Sequence, residues 1–318
     1  MDSPTQIGNK TAEEYGRIAC ECGKMMRMAD PSIELSVCGS SSVYMPSYGD
    51  WDGKVIEATF DVVDYLALHT YFFCINNDRQ SFLATPNILD WNINNMVAIC
   101  DAAAAKRKSP KRINLAVDEW NVWYRGNPKA SPENIWQAGR PLNEEIYDMA
   151  DVLVVGGALM VMLNHADRVK IGCIAQSVNV IAPIMTRTNG SAWKQTTYYP
   201  FYYLSKYGRG VVLTQHTESP TFTCDNIYIP HPVNYLLSSV IYDEVEQEIR
   251  IFAINRALTE EMEFEFSMFD FVAEQVIEAV EIHHPTSTPS IPKRKKTSAR
   301  PRFRRPDTHW RDPNSPRP

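Results

Sequence analysis

The stretch INLAVDEWNVWYR, residues 113–125, runs from an apolar segment into two carboxylates and then into aromatic rings. Ile113, Leu115, Ala116 and Val117 make the apolar part, Asp118 and Glu119 end it, and Trp120, Trp123 and Tyr124 follow. A strand that is apolar at nearly every position is covered on both faces, as in a parallel sheet flanked by helices. The two carboxylates then stand where strand passes into loop, which is where such sheets carry their chemistry.

The same pattern recurs on both sides of this stretch. Residues 11–29 carry apolar side chains at helical spacing behind a Thr11/Glu14 capping box, and IELSVCGSS (33–41) follows as a buried strand. A helix near 51–61 leads into VVDYLALHTYFF (62–73), one near 88–107 leads into RINLAVDEW (112–120), and one over 143–164 leads into RVKIGCIAQSVNV (168–180). WKQTTYYPFYYLSKYG (193–208) reads as a last helix, stopped by Gly208 and Gly210. Alternating strands and helices predict an α/β fold with a parallel sheet. Four such units amount to about the second half of a (β/α)8 TIM barrel, an incomplete barrel over residues 1–210. No strand is followed by a GxGxxG or GxxxxGK turn, which removes the main support for a nucleotide-binding sheet. Beyond residue 210 the period changes to two: EIRIFAIN (248–255), EEMEFEFSMF (260–269) and, less strictly, VIEAVEI (276–282) predict antiparallel strands of a partial β-sandwich over 211–283.

Composition narrows the function classes. Apolar residues make up 44% of the 318, enough for a sizeable core. There is no apolar run long enough to span a bilayer and no basic-then-apolar leader, so a cytoplasmic protein away from membranes is expected. Seven cysteines without paired spacing suit reduced thiols; Cys20 and Cys22 lack the further ligands a metal site needs, so neither metal nor cofactor is expected. Residues 284–318 form a basic, Pro-rich segment expected to be disordered, holding ten Lys or Arg against two Asp while the whole chain carries −6. Its composition fits out-of-frame sequence or a basic arm that binds phosphate backbones; against an acidic remainder with no docking fold, nucleic-acid binding is not expected.

The strand ends supply a consistent set of groups. The first offers Cys38 and Ser40 to Ser42, the second His69 and Tyr71, the third Asp118, Glu119, Trp120 and Trp123, and the fourth Gln176 and Asn179. Carboxylate, imidazole, amides and flat rings together suit a sugar. Asp118 and Glu119 are adjacent, so in an extended strand they point to opposite faces and cannot form one acid–base pair. The residues alone support a polar site at strand ends and do not name a reaction.

DEWNVWYR (118–125) resembles the nucleophile motif of the glycoside hydrolase family 51 α-L-arabinofuranosidases. YGRIACECGKMMRMADPSIELSVCGSSSVYMP, VVDYLALHTYF, NHADRVKIGCIAQSVNVIAPIMT and AWKQTTYYPF are similar to that family too, in its order, so the resemblance covers residues 1 to about 283. It implies a retaining hydrolase acting on arabinofuranosyl-containing oligosaccharides, with Glu119 as nucleophile, and His69, Tyr71, Trp123 and Gln176 lining the sugar site. The family's acid/base glutamate falls immediately before the position of Met1, so no acid/base residue is expected in this chain; Asp2 and Asp64 are poor substitutes. Ser3 and Thr5 replace the family's glycine and tryptophan, and the tail after 284 departs from it. The family forms homo-oligomers, which is the expectation for its intact members. The alternative reading is a non-catalytic remnant that binds oligosaccharide or a partner half-barrel.

Overall fold

The computed structural model describes residues 1–124, 136–268, 271 and 275–283. Arg125 of the central motif and the basic segment 284–318 lie outside these residues. In chain order the first part comprises α1 (Ala12–Ala29), β1 (Ser36–Cys38), α2 (Asp50–Thr59), β2 (Tyr65–Phe72), α3 (Arg79–Ala84), α4 (Pro86–Lys106), β3 (Asn114–Val122), α5 (Met149–Asn164) and β4 (Val169–Ile174). The hairpin β5 (Ile184–Thr186) and β6 (Ala192–Lys194) then precedes α6 (Tyr198–Tyr207).

The strands β1 to β4 form one parallel sheet in sequence order, as expected of successive strand–helix units. Its central strands begin apolar, and Leu66, Leu115, Val117 and Val122 are fully buried beside Ile56, Leu89, Ile93 and Val154 of the helices. Local chemistry sets the helix ends. Thr11 and Glu14 close a capping box at the start of α1, and Gly208 N–H returns to the Leu204 carbonyl at the end of α6. α5 starts six residues later than its apolar pattern predicts, because Asp148 caps it by accepting from Ala150 N while Asn143 takes a positive φ of 49°. α6 likewise starts later than predicted: Ala192–Lys194 is claimed by the β5–β6 hairpin instead.

After α6 come β7 (Val211–Val212), β8 (Thr221–Phe222), β9 (Val233–Asn234), β10 (Leu236–Asp243) and β11 (Glu248–Asn255). They make a three-stranded antiparallel sheet, β11-β10-β7, and a two-stranded ribbon, β8-β9. The three-stranded sheet rests on α5 at Gly156 and Gly157, where an added Cβ would lie 3.1 Å from Ile254 and 3.2 Å from Leu237. Of the alternating stretches, 248–255 is a strand, but 260–268 and 276–282 form none among the described residues. Period-two alternation prepares a strand and a ladder partner makes it one; neither stretch has such a partner among the described residues. No helix among the described residues is long and apolar enough to cross a membrane.

Candidate functional site

β2 carries His69 and Tyr71 two residues apart, hence on one face, and β3 carries Glu119 beside them. The register explains how. Ala67 pairs with Ala116 and His69 with Glu119, two residues along β2 against three along β3. On the other side Val117 pairs with Gly172 and Trp120 with Ile174, again three against two. β3 therefore bulges by one residue at Asp118, and a bulge breaks the alternation of side chains. The expectation that Asp118 and Glu119 point apart is overturned: both reach the same imidazole. His69 Nε2 lies 3.2 Å from Asp118 Oδ1, and His69 Nδ1 lies 3.6 Å from Glu119 Oε2.

The other oxygen of Glu119 is also held, since Tyr71 Oη donates to Oε1 at 2.8 Å. The Tyr71 ring meets Trp123 edge-on, with centroids 5.1 Å apart, and Trp123 N–H donates to the Phe72 carbonyl at 2.9 Å, strapping the end of β3 to β2. Burial of His69 is the largest influence on its pKa and opposes the cation. The Asp118 hydrogen bond and the charges of Glu119 and Asp118 outweigh it, with the Met1 ammonium acting against them, so the imidazole pKa lies above its ordinary value.

Other strand-end residues prove structural. Trp120 is fully buried in the core rather than lining the site. Ser40 donates through Oγ and N–H to the buried Asp52 of α2, at 2.6 and 2.7 Å, so it anchors the end of β1. Cys38 N–H is taken by the Tyr15 hydroxyl, and Asn179 is bound to Thr186 within its own loop. Asp2 accepts from Ser41 N–H at 3.1 Å, and Asp64 binds Arg27 and Leu35 N–H at the opposite end of the sheet. Cys20 is partly buried, Cys22 is exposed, and no group of three metal-ligating side chains stands ready for an ion among the described residues.

Gln176 follows β4 and is exposed, with no side-chain hydrogen bond among the described residues. Its backbone is placed indirectly: Ala175 N–H donates to the Trp120 carbonyl at 3.0 Å, and the buried Asn121 Nδ2 donates to the carbonyls of Ala175 and Ile181. Sequence reasoning missed Asn121, whose signal was an amide between the apolar Trp120 and Val122; it named Asp118 at the strand end but not its turn toward His69, because the bulge depends on both neighbouring strands. A cavity of about 580 Å³ opens between β4 and α6, lined by Cys173, Ile174, Tyr198, Phe201 and Tyr202, and none of the residues around Glu119 lines it.

The arrangement holds the Glu119 carboxylate by the Tyr71 hydroxyl and faces it with the His69 ring, beside the Trp123 ring, toward the carboxyl ends of parallel strands. Comparison with known proteins agrees with that setting. The family model described as the α-L-arabinofuranosidase C-terminal domain matches residues 118–301. The chain is 46% identical over 284 residues to the intracellular exo-α-(1→5)-L-arabinofuranosidase 1 of Bacillus subtilis, covering 89% of this chain and 56% of that protein. It is 46% identical to the corresponding enzyme of Acetivibrio thermocellus, covering 82% and 52%. Among solved structures, a family 51 α-L-arabinofuranosidase from Bifidobacterium longum superposes with a TM-score of 0.75 at 33% identity, over 80% of this chain and 51% of that one. The GH51 enzyme of Thermotoga petrophila gives 0.64 at 26%, again over 80% of this chain and 50% of that one. The chain thus spans about half the length of the curated relatives it matches. This chain belongs to the α-L-arabinofuranosidases of glycoside hydrolase family 51.

Proposed function

We propose that this chain carries the nucleophile-bearing part of a retaining glycoside hydrolase that releases terminal α-L-arabinofuranosyl units from arabinose-containing oligo- or polysaccharides. The observation that carries the reading is the setting of Glu119, with Oε1 held by the Tyr71 hydroxyl at 2.8 Å and Oε2 facing His69 Nδ1 at 3.6 Å. The Tyr71 hydroxyl orients the carboxylate whose free oxygen attacks the anomeric carbon. Tyr71, His69, Trp123 and Gln176 then line the slot for the arabinofuranosyl ring. Retention needs a second carboxyl group about 5 Å from the first, to protonate the leaving oxygen and later activate water. Asp118 is committed to His69, so in this reading that group is absent from residues 1–318 and belongs to the part of the relatives this chain does not match.

In the same reading the four parallel strands are the second half of a (β/α)8 barrel covering residues 1–210, with a partial β-sandwich over 211–283 and the basic segment 284–318 apart from both. The site at the carboxyl ends of β2 and β3 supports this, because that is the active end of such barrels. We place the protein in the cytoplasm, as the matching Bacillus subtilis relative is named intracellular, and as a homo-oligomer in its intact form. In this reading the chain by itself, without that second carboxyl group, does not turn over arabinofuranosides.

The test is reconstitution. The chain is assayed alone and mixed with the unmatched portion of the Bacillus subtilis relative, on aryl α-L-arabinofuranosides and aryl β-D-xylopyranosides. Hydrolysis of the arabinofuranoside by the mixture only, with retained configuration, is expected. Preference for the xylopyranoside, or inversion, would overturn the reading.

A further inference from the structure

We propose that Asp118 is a positioning residue that fixes His69 as an imidazolium facing two carboxylates, with its Nδ1–H turned toward the Glu119 oxygen that Tyr71 does not hold. The inference deepens the proposed function, and its meaning for catalysis rests on Glu119 being the reacting group.

The geometry leaves the ring little choice. Both ring nitrogens face carboxylate oxygens, Nε2 toward Asp118 Oδ1 at 3.2 Å and Nδ1 toward Glu119 Oε2 at 3.6 Å. A neutral imidazole has one N–H and one lone pair, so in either tautomer it would turn a lone pair onto a carboxylate. Only the cation satisfies both sides. The shorter contact is to Asp118, which therefore holds the ring, while the looser one leaves Glu119 free to shift toward a sugar carbon. The bulge at Asp118 makes this possible: without the extra residue in β3, Asp118 would project to the other face of the sheet.

The cation faces both neighbouring carboxylates, so its charge is countered from two sides. Few other charged or titratable groups bear on the ring. On its own strand Tyr71 is engaged with Glu119, and from the amino-terminal segment the Met1 ammonium, itself 3.8 Å from Asp2, opposes the cation. Asp118 and Glu119 of β3 favour it, and the two together prevail over burial and the ammonium.

The test needs no sugar and no turnover. Ring ¹⁵N and ¹³Cε1 resonances of His69 are followed against pH in the full chain and assigned with His69→Gln. A midpoint above the ordinary 6.5 is expected, with the Nε2–H tautomer dominating once the ring is neutral. Asp118→Asn should lower the midpoint by about one pH unit and abolish the tautomer preference. Asp118→Glu should restore both in part. Glu119→Gln should lower the midpoint less and leave the tautomer as it is. A wild-type midpoint at or below 6.5 overturns the proposal whether or not any variant folds, and so does an Asp118→Asn protein with unchanged midpoint and tautomer. An absence of arabinofuranosidase activity after reconstitution would sink the functional reading and leave this one standing.

Discussion

The Tyr71 hydroxyl donates to Glu119 Oε1 at 2.8 Å, from one parallel strand to the next. A hydrogen bond to a charged group contributes about 1.5–3 kcal/mol. Tyr71→Phe in the reconstituted enzyme should therefore lower kcat on an aryl α-L-arabinofuranoside by roughly 10- to 100-fold, with little change in thermal stability. Steady-state kinetics checks this; an unchanged kcat would mean that the phenol does not act on Glu119.

Asp52 ties β1 to α2. Its buried carboxylate accepts from Ser40 N–H, Ser40 Oγ and Gly49 N–H, at 2.7, 2.6 and 3.0 Å. Asp52→Ala leaves those donors unsatisfied and should cost about 3 kcal/mol. Urea denaturation measures the loss, and Asp52→Asn, which keeps an acceptor, should recover part of it.

How much of this was legible in the sequence differs from residue to residue. His69, Tyr71 and Glu119 could be placed at strand ends because apolar runs terminate at them, and the sheet is parallel because a helix intervenes before each new strand. The meeting of Asp118 and Glu119 on one imidazole was not legible. It arises from a bulge that β2 and β4 impose together, and no pattern within β3 encodes it. Ser40 and Trp120 looked like site residues by position alone; Asp52, twelve residues away, claims the first and the core claims the second. Alternation at 260–268 was real but forms no strand among the described residues, while Asp148 moved the start of α5 inward by capping it.

Asp151 gives the fold a pH dependence. Burial pushes its carboxyl up to about 7, helped by the Asp148 charge and opposed by hydrogen bonds from Tyr124 and Asp148 N–H. A carboxyl whose folded pKa is raised binds its proton more tightly when folded. Its contribution to stability is complete below the unfolded value of about 4 and is lost as pH rises toward 7. Denaturation midpoints at pH 5 and pH 8 should differ in this direction, and Asp151→Asn should shrink the difference. Equal pH dependence in the variant would remove Asp151 as its source.

The parallel sheet ends on β1 and β4, and β4 exposes Lys170, Gly172 and Cys173. Strand edges with open backbone groups recruit other chains. Sedimentation of the chain alone should show self-association, reduced when the reconstituting portion is added. A sharp monomer boundary together with a cooperative thermal transition would contradict this.

The central claim is that Glu119 attacks the sugar, and the most direct measurement is the reconstituted enzyme carrying Glu119→Ala, assayed on an aryl α-L-arabinofuranoside with and without azide. The account predicts a fall in rate of more than about 10³-fold, and recovery by azide to give the arabinofuranosyl azide of inverted configuration, since azide then enters where the carboxylate stood. A variant that keeps its rate within about tenfold of the parent, or that yields azide product of retained configuration, would contradict it.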